Sequence, residues 1–381
     1  MSKEFNYTAV VQRFAAKFPL FTYLSTQIGF WLVANILLAI IMHLHAVAIG
    51  QTFKFLHESS LLANIIIAII LGIVYGLSLG LTDHFLDKKI LKQKSLGKII
   101  LFKSIISLIV LLLLLEFVRV VLFNFLISAQ LYKTYESSFT FSSKSWEYFF
   151  YLLAVYYFFM TIVINFINQV NKKYGPGILI PLLFGKYRNP REEERIFMFM
   201  DLQSSTSTAE KLGHLKYSSF IRDSFLDINT VLSPFNAEVY QYVGDEIVLT
   251  WRVNDGLRDF SCIRFFFACE KQFVERAPYY NKEYGFLPYF KAGLHMGKVT
   301  VVEIGEIKRD IAYHGDTLNT AARIQSVCNE HNKKFLVSEH LLEKIGLNQG
   351  LDTEPLGMIQ LRGKTTSVGI ASIDKFDNIT L

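Results

Sequence analysis

Cysteine is scarce in this chain: three in 381 residues, at Cys262, Cys269 and Cys328. None falls in a CxxC pair or in a Cys/His spacing typical of zinc. A disulfide framework and a zinc site are excluded, and reduced thiols are expected. Charge is also sparse, at 19% of residues, and unevenly distributed. Residues 1–190 carry 17 Lys and Arg against 7 Asp and Glu, whereas residues 191–381 carry 22 against 26. The net charge of +6 therefore belongs to the first half. The second half is mildly acidic, which excludes an extended nucleic-acid surface. Residues 1–20 are amphipathic, with no small-residue cleavage site after a short apolar core, so no cleavable leader is expected. Internal repeats and low-complexity tracts are lacking too.

Apolar residues, by contrast, make up 51% of the chain. Four apolar stretches lie near residues 27–49, 61–81, 99–126 and 148–167. Each has the roughly 20 residues that a bilayer crossing requires. Lys3, Arg13 and Lys17 precede the first stretch; Lys88, Lys89, Lys92, Lys94 and Lys98 follow the second; Lys172, Lys173, Lys186, Arg188 and Arg191 follow the fourth. The other two loops hold only Lys54, and Lys133 with Lys144. Basic residues collect on the cytoplasmic side. The expectation is a multi-pass protein of the cell (inner) membrane, in contact with the lipid bilayer, with both termini cytoplasmic. Glu116 and Arg119 share a helix face within the third stretch and are read first as a structural ion pair, with a switch or ligand contact as the alternative. His43 and His45 point to different sides of a helix, which speaks against haem there or with His84.

A connector occupies residues 171–191. Gly175, Pro176, Gly177, Pro181 and Gly185 rule out one unbroken helix. The apolar piece Ile178–Phe184 has two readings that stay open, a segment on the membrane surface and a linker packed on the C-terminal half of the chain.

Beyond the connector the pattern changes. Strands are expected near 195–201, 237–243, 246–252, 289–296, 299–304, 334–338, 357–362 and 367–373. Helices are expected near 206–231, 256–275, 316–329 and 339–346. Hairpins separated by helices predict an α+β sheet with helices on one face. Asp201 ends the first strand, and Gly244-Asp245 forms a tight hairpin turn between the second and third. If those strands are neighbours, both carboxylates share one sheet edge, where hard oxygen ligands suit Mg²⁺ and a nucleotide triphosphate. Small residues Ser204, Ser205 and Thr206 come after Asp201 and open a helix, whose N-terminal amides favour phosphate. Gly297 is read as lying near the turn of a further hairpin. Asp316 is read as the N-cap of a helix on which Asn319 and Arg323, four residues apart, share a face. His295 and His314 are read as packing or surface residues.

Taken in order, these segments resemble the class III nucleotidyl cyclase catalytic domain over roughly Glu192 to Lys375. The resemblance implies a ferredoxin-like α+β domain at residues 192–376, behind an all-α four-helix transmembrane domain at residues 1–170. It implies a homodimer with active sites shared at the interface, ATP as substrate (GTP as the alternative), and two Mg²⁺ or Mn²⁺ ions per site. By position, Asp201 and Asp245, with the backbone at Leu202, match the metal ligands. The backbone from Leu202 through Ser204, Ser205 and Thr206 matches the phosphate cradle, and Gly244 at the hairpin counts among the substrate-binding residues. Asn319 matches the residue that orients the ribose, Arg323 the one that stabilises the pentavalent phosphorus, and Arg362 with Lys364 the basic phosphate contact. Two positions depart from the family pattern. Gln241 stands where many adenylyl cyclases have Lys, and Ala312 where they have Asp or Thr, so base choice stays open. The expected activity is formation of 3′,5′-cyclic AMP and pyrophosphate from ATP. Alternatives are a guanylyl or dual-specificity cyclase and a catalytically silent cyclase-like signalling domain. A diguanylate cyclase does not explain Asn319 and Arg323, and a transporter finds few polar residues at mid-membrane.

Overall fold

The computed structural model describes residues 18–53, 60–89, 96–128, 143–174, 185–307, 309–346, 351–360 and 367–376. The chain divides into two compact units, residues 1–179 and 180–381.

The described residues of the first unit form four helices: α1 (Pro19–Phe53), α2 (Leu61–Lys89), α3 (Leu96–Ser128) and α4 (Ser143–Tyr174). All four are long and apolar enough to cross a membrane. Large apolar side chains such as Leu44, Leu62, Leu113 and Phe159 are exposed on the outside. Trp31, Tyr75, Leu111 and Tyr157 are buried in the core. Tyr75 and Tyr157 meet edge to face at 5.6 Å, an arrangement the ring quadrupoles favour. Tyr157 donates to Asn35 Oδ1 at 2.9 Å. Gly76 lets α2 press onto α1, since a Cβ there would lie 2.5 Å from Ile28 Cα. Small residues of this kind set close helix packing where lipid supplies no hydrophobic drive.

The interior of this bundle also holds charge. Lys103 Nζ of α3 lies 3.9 Å from Asp83 Oδ2 of α2. Tyr23 of α1 donates to the same carboxylate at 3.1 Å, and Asn165 of α4 donates to Ser104 at 3.0 Å. The described buried ion pair is thus an interhelical one. The side chain of Arg119 lies outside the described residues, as do the connector residues 175–184.

The second unit is built on one sheet. Its elements are β1 (Arg191–Leu202), α5 (Ser205–Leu212), α6 (His214–Val231), β2 (Glu238–Val243), β3 (Glu246–Arg252), α7 (Ser261–Glu275), α8 (Ala277–Glu283), β4 (Phe290–Ile304), β5 (Asp310–His314), α9 (Asp316–Ser326), β6 (Phe335–Ser338), α10 (Glu339–Ile345), β7 (Leu351–Ile359) and β8 (Val368–Phe376). The strand order is β2-β3-β1-β4-β6-β8-β7, with β5 paired to β4.

Side chains alternate along β1 and divide the sheet into two faces. Ile196, Met198, Met200 and Leu202 join Leu249, Trp251, Phe220 of α6 and Phe266 of α7 in the main core. Phe197 turns the other way and packs with Val248, Val299 and Ala321 of α9. Helices therefore cover both faces, which corrects the single-face expectation. The physical reason is that these strands are apolar at consecutive positions, and each apolar face needs a cover.

A second correction concerns β4. It runs unbroken through Gly297, and its hairpin partner is β5, a strand the sequence pattern does not predict. Gly297 is no turn residue: a Cβ there would lie 2.6 Å from Thr317 Oγ1 of α9. At Gly293 a Cβ would lie 2.2 Å from the Gln325 backbone nitrogen. Both glycines mark close approach of a helix to the sheet. Gly293→Ala is expected to cost about 1–3 kcal/mol of stability, because the opposing atoms are backbone and cannot swing aside. A thermal melt that matches wild type would show that α9 yields without cost.

The helix expected over 206–231 is broken at Gly213, whose φ of 72° belongs to the left-handed region. The additional helix α8 is pinned to α6 by hydroxyls. Tyr279 and Tyr284 donate to Asp223 at 2.6 and 2.7 Å, and Tyr280 donates to Asp227 at 2.6 Å. All three cysteines are free and buried.

Candidate active site

Register brings the two aspartates together. Asp201 is opposite Glu246 on β3, directly after Asp245 in the turn. Gly244 adopts φ 63° and makes that turn tight. Burial raises the Asp201 pKa, and the charge of Asp245 raises it further; Lys291, opposite on β4, opposes the rise. Glu246 is pushed up to about 7 by burial and by the charges of Asp201 and Asp245. Three carboxylates thus crowd one sheet edge, and the crowding disfavours the ionised forms of Asp201 and Glu246.

Such a cluster favours a cation. Among the described residues, no group of three or more His, Cys, Asp or Glu side chains is arranged to hold a metal by itself. Mg²⁺ does not need one, because it binds through one or two carboxylates and completes its shell with water and substrate phosphates. Asp201 and Asp245 fit that donor set. The Leu202 side chain is buried in the main core, so only its backbone is available to the site.

The turn after Asp201 opens a helix. Ser204 takes a left-handed conformation, φ 55°, and α5 starts at Ser205. Thr206 is exposed in its first turn. The first amides of a helix lack intrahelical partners and attract anions. Burial and the charge of Asp245 raise the pKa of Tyr217 on α6, which places its hydroxyl near the hairpin as well as near Ser205 of this turn. A cleft of about 380 Å³ on the other side of the turn is lined by Ser204, Thr208, Phe286 and Lys334, but not by either aspartate.

Asn319 and Arg323 both lie on α9, Asn319 exposed and Arg323 half-buried. Gly315 caps the helix and Asp316 is its first residue, which corrects the reading of Asp316 as the cap. With its φ of 150°, Gly315 occupies a backbone region that side chains avoid. Among the described residues, no hydrogen bond or ion pair joins Asn319 or Arg323 to Asp201 or Asp245 within the chain. The residue of α9 that does reach Asp201 is Gln325, at 3.4 Å.

A β-bulge sets Gln241 opposite Val248, exposed and on the sheet face that Asp201 occupies. Ala312 is buried on β5, opposite Val302. Their neighbours touch: Tyr240 Oη accepts from the Tyr313 amide at 3.2 Å, and the two rings lie 5.1 Å apart. His295 bonds Ser338 at 2.8 Å through Nδ1, and His314 is exposed. Arg362 and Lys364 lie outside the described residues. Motif reading misses Gln325, Lys291 and Tyr217. Lys291 does carry a signal, since strand alternation puts it on the face opposite to buried Phe290 and Ala292.

Residues 188–371 match the adenylate and guanylate cyclase catalytic domain. The chain is 34% identical over 210 residues to "Adenylate cyclase 2" of Rhizobium meliloti (strain 1021), covering 55% of this chain and 58% of that protein. It is 22% identical over 183 residues to an adenylate cyclase of Anabaena cylindrica, covering 46% of this chain and 36% of that one. Both matches span less than two thirds of the relative's length. Among solved structures, a bacterial light-regulated adenylyl cyclase aligns with TM-score 0.48 and 20% identity, over 56% of this chain and 64% of the other. Residues 188–371 are accordingly an adenylate and guanylate cyclase catalytic domain, which follows four long apolar helices among the described residues.

Proposed function

We propose that this protein is a membrane-anchored adenylate cyclase that works as a homodimer and converts ATP to 3′,5′-cyclic AMP and pyrophosphate. The observation that carries the reading is the carboxylate pair Asp201 and Asp245 at one edge of a cyclase-family sheet. Among the described residues, no hydrogen bond or ion pair within one chain joins Asn319 or Arg323 of α9 to that pair. This supports a site completed by a second copy of the chain.

In the reaction, the ribose 3′-oxygen bonds to the α-phosphorus, the bond from that phosphorus to the β-phosphate bridge breaks, the hydroxyl proton departs and pyrophosphate leaves. Asp201 and Asp245 would hold two Mg²⁺ or Mn²⁺ ions, which when bound lower the hydroxyl pKa and neutralise the triphosphate. The Leu202–Thr206 backbone, with Arg362 and Lys364, holds the phosphate chain. Tyr217, whose hydroxyl lies near both, would brace the turn beside the hairpin. From the partner, Asn319 orients the ribose and Arg323 stabilises charge on the phosphorus, so positioning and electrostatics supply the rate. The basic flanks of the apolar helices support an orientation with both termini and the catalytic domain in the cytoplasm, where nucleotide is found.

A guanylyl or dual-specificity enzyme is the second reading, favoured by Gln241, whose amide can rotate to present a donor or an acceptor to either purine. The test is to incubate purified protein with ATP or GTP, with Mg²⁺ or Mn²⁺, and separate the products. ATP is expected to be preferred by a modest ratio of kcat/KM. Gln241→Lys with Ala312→Asp should widen that ratio by about tenfold or more, because paired hydrogen bonds leave the wrong base with unsatisfied buried groups. An unchanged ratio would mean that neither side chain reads the base, and absence of any cyclic nucleotide would overturn the function.

A further inference from the structure

Asp201 is supported from two directions. Lys291 faces it across the β1–β4 ladder, is 7% exposed, and donates to Asn329 Oδ1 at 2.9 Å. Gln325, also 7% exposed, extends from α9 and places Nε2 at 3.4 Å from Asp201 Oδ2. Gly293 permits this approach, because any side chain there would collide with the Gln325 backbone. Two residues along a helix rotate the face by about 200°. Helix α9 therefore turns Gln325 toward the sheet and Arg323 away from it. A buried amide beside a carboxylate removes rotamer freedom from that carboxylate, and partners of this kind around metal ligands tune affinity.

We propose that Gln325 is a positioning residue for Asp201. Its amide holds the carboxylate in the rotamer that accepts a divalent cation, so the seating of α9 on the sheet sets metal affinity. The inference rests on the reading of Asp201 as a metal ligand. Because α9 also carries Asn319 and Arg323, the helix that completes one composite site orients the metal carboxylate of the other.

The test uses the full chain in detergent and Mn²⁺ alone, with binding followed by the paramagnetic resonance of the free ion. Turnover is measured alongside, to obtain the Mn²⁺ concentration for half-maximal rate and the KM for ATP at saturating Mn²⁺. Gln325→Met keeps length and removes the donor; it should weaken Mn²⁺ binding about tenfold. The half-saturating Mn²⁺ should rise by the same factor, with the KM for ATP within about twofold of wild type. Gln325→Asn keeps the amide but is one methylene too short, and should behave likewise; it carries the test if the Met variant does not fold. Asp201→Ala is the control and should lose Mn²⁺ binding. If a folded Gln325 variant binds Mn²⁺ as wild type does while Asp201→Ala does not, the positioning role is wrong. If Asp201→Ala also binds as wild type, the metal-site reading itself has failed, and the inference falls with it.

Discussion

Asp201→Asn and Asp245→Asn are each expected to lower cyclic nucleotide formation by at least ~10³-fold, equivalent to ~4 kcal/mol of transition-state stabilisation. Both substitutions keep the side-chain shape and remove one negative charge from a crowded edge. Each should therefore melt at or above the wild-type temperature, since burial and the charge of Asp245 both disfavour the charged form of Asp201. Loss of activity with a stable fold separates a metal ligand from a turn residue. The shared-site arrangement makes a stronger demand. Asp201→Ala and Arg323→Ala should each be inactive alone, yet a mixture under subunit exchange should recover up to about a quarter of wild-type activity per site. In a random mixture half of the dimers are mixed, and each mixed dimer has one intact interface site. Recovery of nothing where exchange is demonstrated would remove the composite site, and wild-type activity in either aspartate variant would remove the metal-ligand reading of that residue.

The legible and the hidden parts of this site differ in range. Asp201 and Asp245 stand out because each is a local pattern, an apolar run ending in an acid at a turn, and the β1–β3 register then sets them side by side. Asn319 and Arg323 stand out because four residues apart on a helix means one face. Gln325 does not stand out, because its contact with Asp201 spans 124 positions and depends on how closely α9 packs. Gly297 misleads for a related reason. A glycine that allows a turn and a glycine that admits a helix against a strand look alike in sequence, and only the Thr317 contact tells them apart. The same holds for the bundle. Glu116 and Arg119 are visible as a pair because they lie on one helix, whereas Asp83 and Lys103 become partners only when α2 and α3 pack.

That buried pair carries the second large prediction. The Asp83 and Lys103 side chains are 5% and 2% exposed, at 3.9 Å, inside helices apolar enough to face lipid. Removing one partner leaves the other charge buried without its counter-ion, which costs about 3–5 kcal/mol in comparable settings. Asp83→Leu and Lys103→Met should each lower the stability of the membrane unit by that amount, read as a lower unfolding midpoint of the full chain in detergent. The hydroxyl of Tyr23, which donates to Asp83, lessens the loss only where the carboxylate remains. Replacing both partners gives the opposite expectation. Asp83→Leu combined with Lys103→Met fills the same space without charge and should return to within about 1 kcal/mol of wild type or exceed it, because the desolvation penalty of both ions disappears together. The four proteins form a double-mutant cycle, and a coupling near zero would mean that the two charges do not depend on each other. A strong coupling with a stable double variant would instead place the pair as a device that sets which faces of α2 and α3 meet, since a slipped packing would bury each charge against apolar side chains.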